Sequence, residues 1–177
     1  MFRRILRAAG IIAILCFFAY SLVVPRGGPP VGQPAPAVSG DMLDGSSLDL
    51  AVLKGRVTVI DFWATWCPPC VRSLPALQAL HRRYAGDSQV SVISVNLDEG
   101  EHLERRVRTF MKERRYDFPV LLDEHKRISG AYGVETIPTM VIVDAEGLVH
   151  RVKVGLYSND PDRIVDHVVV AVEDAQR

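Results

Sequence analysis

Twelve residues, Val59-Ile60-Asp61-Phe62-Trp63-Ala64-Thr65-Trp66-Cys67-Pro68-Pro69-Cys70, constrain what the rest of the chain can become. An apolar, β-rich run ends in two cysteines separated by two residues. That spacing sets Cys67 on a loop and Cys70 in the opening turn of a helix. Two sulfurs placed so can close a small disulfide ring with little backbone movement. A helix N-terminus stabilises a nearby thiolate through its free N–H groups and its dipole. Cys67 is therefore the expected reactive sulfur, and dithiol–disulfide exchange is the expected chemistry.

The other functional classes fit less well. The third cysteine, Cys16, sits in an N-terminal apolar run, so the folded part holds only Cys67 and Cys70. Two cysteines so close are too few for a structural disulfide framework. The five histidines (His81, His102, His125, His150, His167) are scattered without ligand spacing, so no zinc or other cofactor is expected. Basic and acidic residues balance at 21 each, but residues 1–30 hold four arginines and no acid. The remainder carries 17 basic against 21 acidic residues, a formal −4, which argues against a nucleic-acid partner.

Ala8–Val24 is an uncharged, mostly apolar run preceded by Arg3, Arg4 and Arg7. A helix of that length rises about 25 Å, the lower end of what crosses a bilayer. The arginines stay cytoplasmic, which sends the rest of the chain across the membrane. The rival reading is a cleaved signal peptide, for which Ala19-Tyr20-Ser21 offers a site; the length of the run favours an uncleaved anchor. Leu15 before Cys16 is bulkier than lipoprotein cleavage sites usually carry. Pro25–Pro36 is rich in proline and glycine and reads as a tether. The expected organisation is an anchor and tether over residues 1–30 and one domain over 31–177.

Within that domain, Gly40–Val52 reads as a small hairpin turning at Asp44-Gly45, and Val57–Phe62 as a central buried strand. Apolar residues at Val71, Leu74, Leu77, Leu80 and Tyr84 mark a helix that Pro75 should kink. Val90–Leu97 is a second buried strand. Leu103, Val107, Phe110 and Met111 mark an amphipathic helix whose other face carries Arg105, Arg106, Arg108, Lys112, Arg114 and Arg115, most simply a solvated face. Phe118–Leu122 reads as a short strand and Glu124–Tyr132 as a short helix. Thr139–Val143 and Val149–Val154 form a hairpin, and Pro161–Val172 closes the chain as a helix. The fold class is α/β, a central mixed sheet flanked by helices.

At Trp66-Cys67-Pro68-Pro69-Cys70 the sequence resembles the thioredoxin superfamily. Pro75 falls where thioredoxins have a helix-kinking proline. Thr136-Ile137-Pro138-Thr139 resembles the cis-proline loop facing the active site, and Gly155 matches a glycine beside the substrate groove. The membrane anchor, the Val31-Gly32-Gln33-Pro34-Ala35-Pro36 lead-in and the longer segment over residues 98–122 are similar to the TlpA/ResA-like membrane-anchored thiol–disulfide oxidoreductases. The resemblance implies a thioredoxin fold behind an N-terminal transmembrane helix, in a bacterial cytoplasmic membrane with the domain on the periplasmic side. It also implies protein disulfide substrates, among them apocytochrome c or another metalloprotein assembly client, and a membrane thiol protein as electron donor. Two departures stand out. A glutamate frequent in this family three residues after the second cysteine is Ser73 here. Asp61 stands where thioredoxin has its buried aspartate, and the lysine accompanying that aspartate is replaced by Ser94.

Exchange needs a thiolate to attack a disulfide and a second thiol to resolve the mixed disulfide, roles that fall to Cys67 and Cys70. Asp61 is the expected receiver of the Cys70 proton, directly or through water. Trp66, Pro68, Pro69, Ile137, Pro138 and Gly155 are the expected substrate-binding residues, with Pro138, if cis, presenting a neighbouring amide edge to an extended peptide. Pro68 and Pro69 lack N–H groups and no histidine separates the cysteines, so the thiolate is weakly stabilised and the site comparatively reducing. This favours a reductase over a disulfide-forming or isomerising enzyme of the same fold. A non-catalytic binding module is disfavoured by the intact cysteine pair.

Overall fold

The computed structural model describes residues 28–177. Seven strands form one sheet: β1 (Ser39–Met42), β2 (Ser47–Asp49), β3 (Val57–Trp63), β4 (Val90–Asn96), β5 (Val120–Leu122), β6 (Thr139–Val143) and β7 (Val149–Val154). Their spatial order is β2-β1-β5-β4-β3-β6-β7. The run Val-Thr-Val-Ile-Asp-Phe-Trp makes β3, whose seven residues are all buried. Such a strand needs cover on both faces and partners on both edges. It pairs in parallel with β4 and antiparallel with β6.

Alternate residues of β3 serve the two faces. Val57, Val59 and Trp63 pack under three helices: α1 (Pro68–Arg83), α2 (Leu103–Arg114) and α4 (Pro161–Ala175). Ile60 and Phe62 pack on the other side against Ile128 and Tyr132, in and just after the short α3 (Arg127–Ala131). Trp63 lies 5.4 Å from the Phe110 ring, and Phe62 lies 5.5 Å from that of Tyr132, so one dipeptide anchors both layers.

Helix α1 opens with Pro68 and Pro69, where missing amides cost nothing, and ends in His81, Arg82 and Arg83, which suit the negative pole. Pro75 lies inside it, as expected. The hairpin expected over Gly40–Val52 closes at Asp44, whose Oδ1 accepts from the Ser46 amide at 2.9 Å. A 3-10 turn at Leu50–Leu53 follows it.

Three segments differ from the sequence reading. Helix α3 starts at Arg127 rather than Glu124: Lys126 adopts a left-handed conformation, and the Asp123 carboxylate accepts from the Ile128 and Ser129 amides instead. Strand β5 starts after Pro119, which has no amide for a ladder; its carbonyl accepts from the Ser94 amide. The proline- and glycine-rich stretch read as a tether is docked from Gly28 onward. Gln33 and Val149 are joined by the Val149 amide donating to the Gln33 carbonyl at 2.8 Å, and Gly32 donates back to the Val149 carbonyl. A Cβ on Gly28 would stand 2.6 Å from Val152 Cγ1, so only glycine permits this approach. The anchor expected over Ala8–Val24 lies outside the described residues, among which no helix is long and apolar enough to cross a membrane.

Candidate active site

Strand β3 delivers the chain to the carboxyl edge of the sheet, and Ala64-Thr65-Trp66 carries it to α1. Cys67 is the N-cap of α1, with extended backbone, and its Sγ accepts from the Cys70 amide at 3.3 Å. Cys67 and Cys70 are joined as a disulfide, their Cα atoms 5.3 Å apart. Both are buried, Cys70 completely and Cys67 to 3% exposure. Of the two sulfurs only Cys67 stands at a helix terminus. With prolines in the next two positions, the Cys70 amide is the one first-turn N–H that reaches its sulfur. Trp66 projects beside it, 65% exposed, whereas Trp63 is fully buried.

Opposite the disulfide runs the Thr136–Thr139 loop, in which the Ile137–Pro138 peptide bond is cis. The Ile137 carbonyl oxygen lies 3.9 Å from Cys67 Sγ. Thr139 Oγ1 donates to the Thr136 carbonyl at 2.6 Å, closing the loop. The Gly155 amide donates to the Pro138 carbonyl at 2.8 Å, which ties the end of β7 to it. Of the residues expected to meet substrate, Trp66 and Pro68 are exposed, Pro69 and Ile137 half-buried, and Pro138 buried. Gly155 is joined to this loop through its amide, which is engaged by the Pro138 carbonyl.

Asp61 sits midway along β3, level with Ser94 on β4 and Met140 on β6. It is 2% exposed, and its Oδ2 has no partner among the described residues. Burial pushes its pKa up to about 8, because the charged form loses its hydration and no cation among the described residues offsets this. Ser94, at the position of the missing lysine, turns its hydroxyl to the Pro119 carbonyl at 3.0 Å. Ser73 is buried and donates to the Cys70 carbonyl at 2.8 Å. A cavity of about 10 Å³ touches Asp61, Ser73, Pro138, Gly155 and Tyr157. That is room for about one water between the carboxyl and the loop facing the disulfide.

The sequence reading missed Asp98. It is fully buried. Its Oδ2 accepts from the Thr65 amide at 2.9 Å and from Asn96 Nδ2 at 2.8 Å, and its Oδ1 accepts from the Thr65 hydroxyl at 2.6 Å. Arg106 of α2 places Nε 3.4 Å from the same Oδ1. The signal was present as Asn96-Leu97-Asp98 at the end of a buried strand, where short polar side chains rarely point at nothing.

A mixed sheet carrying a buried Cys67–Cys70 disulfide at a helix N-cap, faced by the Thr136–Thr139 loop, defines a thioredoxin-fold thiol–disulfide oxidoreductase. The comparisons agree. The Redoxin family model matches residues 30–168. The chain is 37% identical to the Thioredoxin-like protein YneN of Bacillus subtilis over 70% of this chain and 71% of that protein. It is 30% identical to the Thiol-disulfide oxidoreductase ResA of the same organism over 86% of each. The crystal structure of a putative thiol:disulfide interchange protein DsbE from Chlorobium tepidum superposes with a TM-score of 0.70 at 27% identity, covering 81% of this chain and 99% of that one. The chain belongs to the Redoxin family, as a ResA-like member of the thioredoxin superfamily and a protein thiol–disulfide oxidoreductase.

Proposed function

We propose that this oxidoreductase works as a reductase of exported proteins, held at the outer side of the bacterial cytoplasmic membrane. The observation that carries the direction is the first turn of α1: Pro68 and Pro69 leave one amide, that of Cys70, to stabilise the Cys67 thiolate. A weakly stabilised thiolate makes the disulfide the favoured state of the pair, and so makes the dithiol a good electron donor.

In this reading the Cys67 thiolate attacks one sulfur of a client disulfide, whose S–S bond breaks and releases the first client thiolate. Cys70 then loses its proton to the Asp61 carboxylate, directly or through one water in the adjoining cavity, and attacks Cys67. The Cys67–Cys70 bond forms, the second client thiol leaves, and the client has gained two electrons. Trp66, Pro68, Pro69, Ile137, Pro138 and the Gly155 backbone border the client's chain. Apocytochrome c or another metalloprotein precursor is the client class proposed, and a membrane dithiol protein regenerates the enzyme. The residues before Gly28 act as anchor and tether and the chain from Gly28 onward as the domain, on the strength of Arg3, Arg4 and Arg7 before an apolar run and of the docked lead-in.

Equilibrating the domain with glutathione buffers tests the direction. A potential near that of thioredoxin, roughly −270 mV, is expected; one near roughly −120 mV would assign the oxidase role instead. Cys70→Ser should accumulate client mixed disulfides on Cys67. A reporter enzyme fused after Arg177 should be active only in an exported form.

A further inference from the structure

Helix α2 concentrates the positive charge of the fold. Residues 103–115 hold six basic and two acidic side chains, net +4, while the rest of residues 31–177 holds 11 basic against 19 acidic, net −8. All six cations are exposed. Arg106 is bound to Asp98, Arg108 pairs with Glu104, and Arg114 covers the Phe110 ring at 4.3 Å. Arg105, Lys112 and Arg115 have no ion-pair partner among the described residues. Arg105 and Lys112 stand two turns apart on one stripe, and Arg108 and Arg115 on the neighbouring stripe.

This helix borders the redox loop. Thr65, two residues before Cys67, shares a shallow concavity of about 490 Å³ with Arg105, Arg106, Thr109 and Phe110, whose acids are Glu101 and Glu113. The Arg106–Asp98–Thr65 chain of contacts fixes the helix against that loop. A polypeptide whose disulfide reaches Cys67 and leaves past Thr65 meets the first half of α2, where Arg105 is the cation without an ion-pair partner among the described residues; Lys112 and Arg115 carry the charge further along the helix and do not line this concavity.

We propose that α2 is a specificity surface for clients with aspartate or glutamate close to the reacting cysteine. The inference rests on the disulfide-exchange reading of the site and adds the charge of the partner. Charge separation of this kind steers encounter and selects partners more than it adds raw affinity. Its effect is salt-dependent, because about 1 M salt shortens the screening length to roughly 3 Å.

The test uses the reduced domain and two disulfide-bridged peptides that differ only in flanking glutamates or flanking lysines. At low ionic strength kcat/KM should favour the glutamate peptide by about ten-fold or more, and about 1 M salt should bring the two within about two-fold. The triple variant Arg105→Glu, Lys112→Glu, Arg115→Glu should lose or invert the preference. It should still reduce the neutral disulfide of mercaptoethanol at the wild-type rate, which also reports that it folds. Equal rates for both peptides in the wild-type domain overturn the proposal. So does a preference that survives in the triple variant. Binding to phosphatidylglycerol vesicles, lost in the variant and without any peptide preference, would assign the helix to the membrane surface instead. Failure to reduce even the neutral disulfide would count against the exchange reading, not against the charge preference alone.

Discussion

The buried carboxylate of Asp98 grips both the amide and the hydroxyl of Thr65, at 2.9 and 2.6 Å. It therefore holds the loop that presents Trp66 and Cys67 from the end of the neighbouring strand, and through Arg106 it fastens that loop to α2. The redox pair is positioned from two directions: by the helix that Cys67 caps, and by a carboxylate 31 residues further along the chain.

Asp98→Ala should be strongly destabilising. It strands the Thr65 and Asn96 donors and leaves the Arg106 guanidinium without its anion. Arg106 is partly exposed and can be rehydrated, so the main cost is that of the unsatisfied Thr65 and Asn96 donors, about 1–3 kcal/mol. Urea unfolding measures this directly. Attack by Cys67 on a peptide disulfide should also slow, since the loop loses its tether. Stability within about 0.5 kcal/mol of wild type, the usual range for surface substitutions, would show that water replaces the carboxylate without loss.

Asp61→Asn keeps the shape of the side chain and removes the proton acceptor. Resolution of the mixed disulfide by Cys70 should slow by about ten-fold or more, while the first attack by Cys67 changes much less. Stopped-flow reduction of a model disulfide, followed by Trp fluorescence, separates the steps. With the Asp61 pKa near 8, the wild-type resolution rate should rise with pH toward that value, and the variant should lack this rise. Identical resolution rates across pH 6–9 would mean another group or bulk water takes the proton.

Much of the fold was legible because its signals are local. A β-branched run, a C-x-x-C on a helix start and an apolar stripe from Val71 to Leu80 each report on a single element. Register was not legible: the resemblance set Ser94 at the place of the lysine that accompanies the aspartate, and only the paired strands show that it lies level with Asp61. What escaped was long-range. Asp98 reads as one acid among 21 until β4 and the Thr65 loop are brought together. The docking of Gly28–Ala35 depends on the free edge at β7, which no window of sequence around Gly28 contains. Asp123 shortened α3 by capping it from outside the periodic stretch.

Thr58 lies near the start of β3 on the face it shares with Ile60 and Phe62, opposite the redox pair, with its hydroxyl buried and unpartnered among the described residues. Its neighbours include Ile60, Tyr132 and Val143, which line the same cavity of about 300 Å³, mostly apolar but also touched by Lys54, Asp144 and Glu146. An unsatisfied buried hydroxyl costs about 1–3 kcal/mol, and replacing it by a methyl of the same shape removes that penalty. Thr58→Val should therefore raise stability by about 1 kcal/mol and leave disulfide exchange unchanged. A loss of stability would mean the hydroxyl has a partner in solution.

Asp61 also sets how stability depends on pH. Its pKa is about 8 in the fold against 3.8 for the free side chain. Below about pH 4 the carboxyl is protonated in both the folded and unfolded states, and burial is not opposed by charge. Between these values the unfolded chain ionises while the fold retains the proton, so stability falls as pH rises, and the loss is complete above about pH 8. At about 1.36 kcal/mol per pKa unit the full penalty amounts to several kcal/mol. Asp61→Asn removes the titration and with it this slope. The variant should match the wild type near pH 4 and exceed it by several kcal/mol at pH 8 and above, measured by urea unfolding of the oxidised domain at each pH. The sign is opposite to the kinetic effect: the substitution that slows resolution should strengthen the fold. Parallel stability curves for the two proteins from pH 4 to pH 9 would show that Asp61 is ionised and solvated in the folded state, and would remove the basis for its coupling to Cys70.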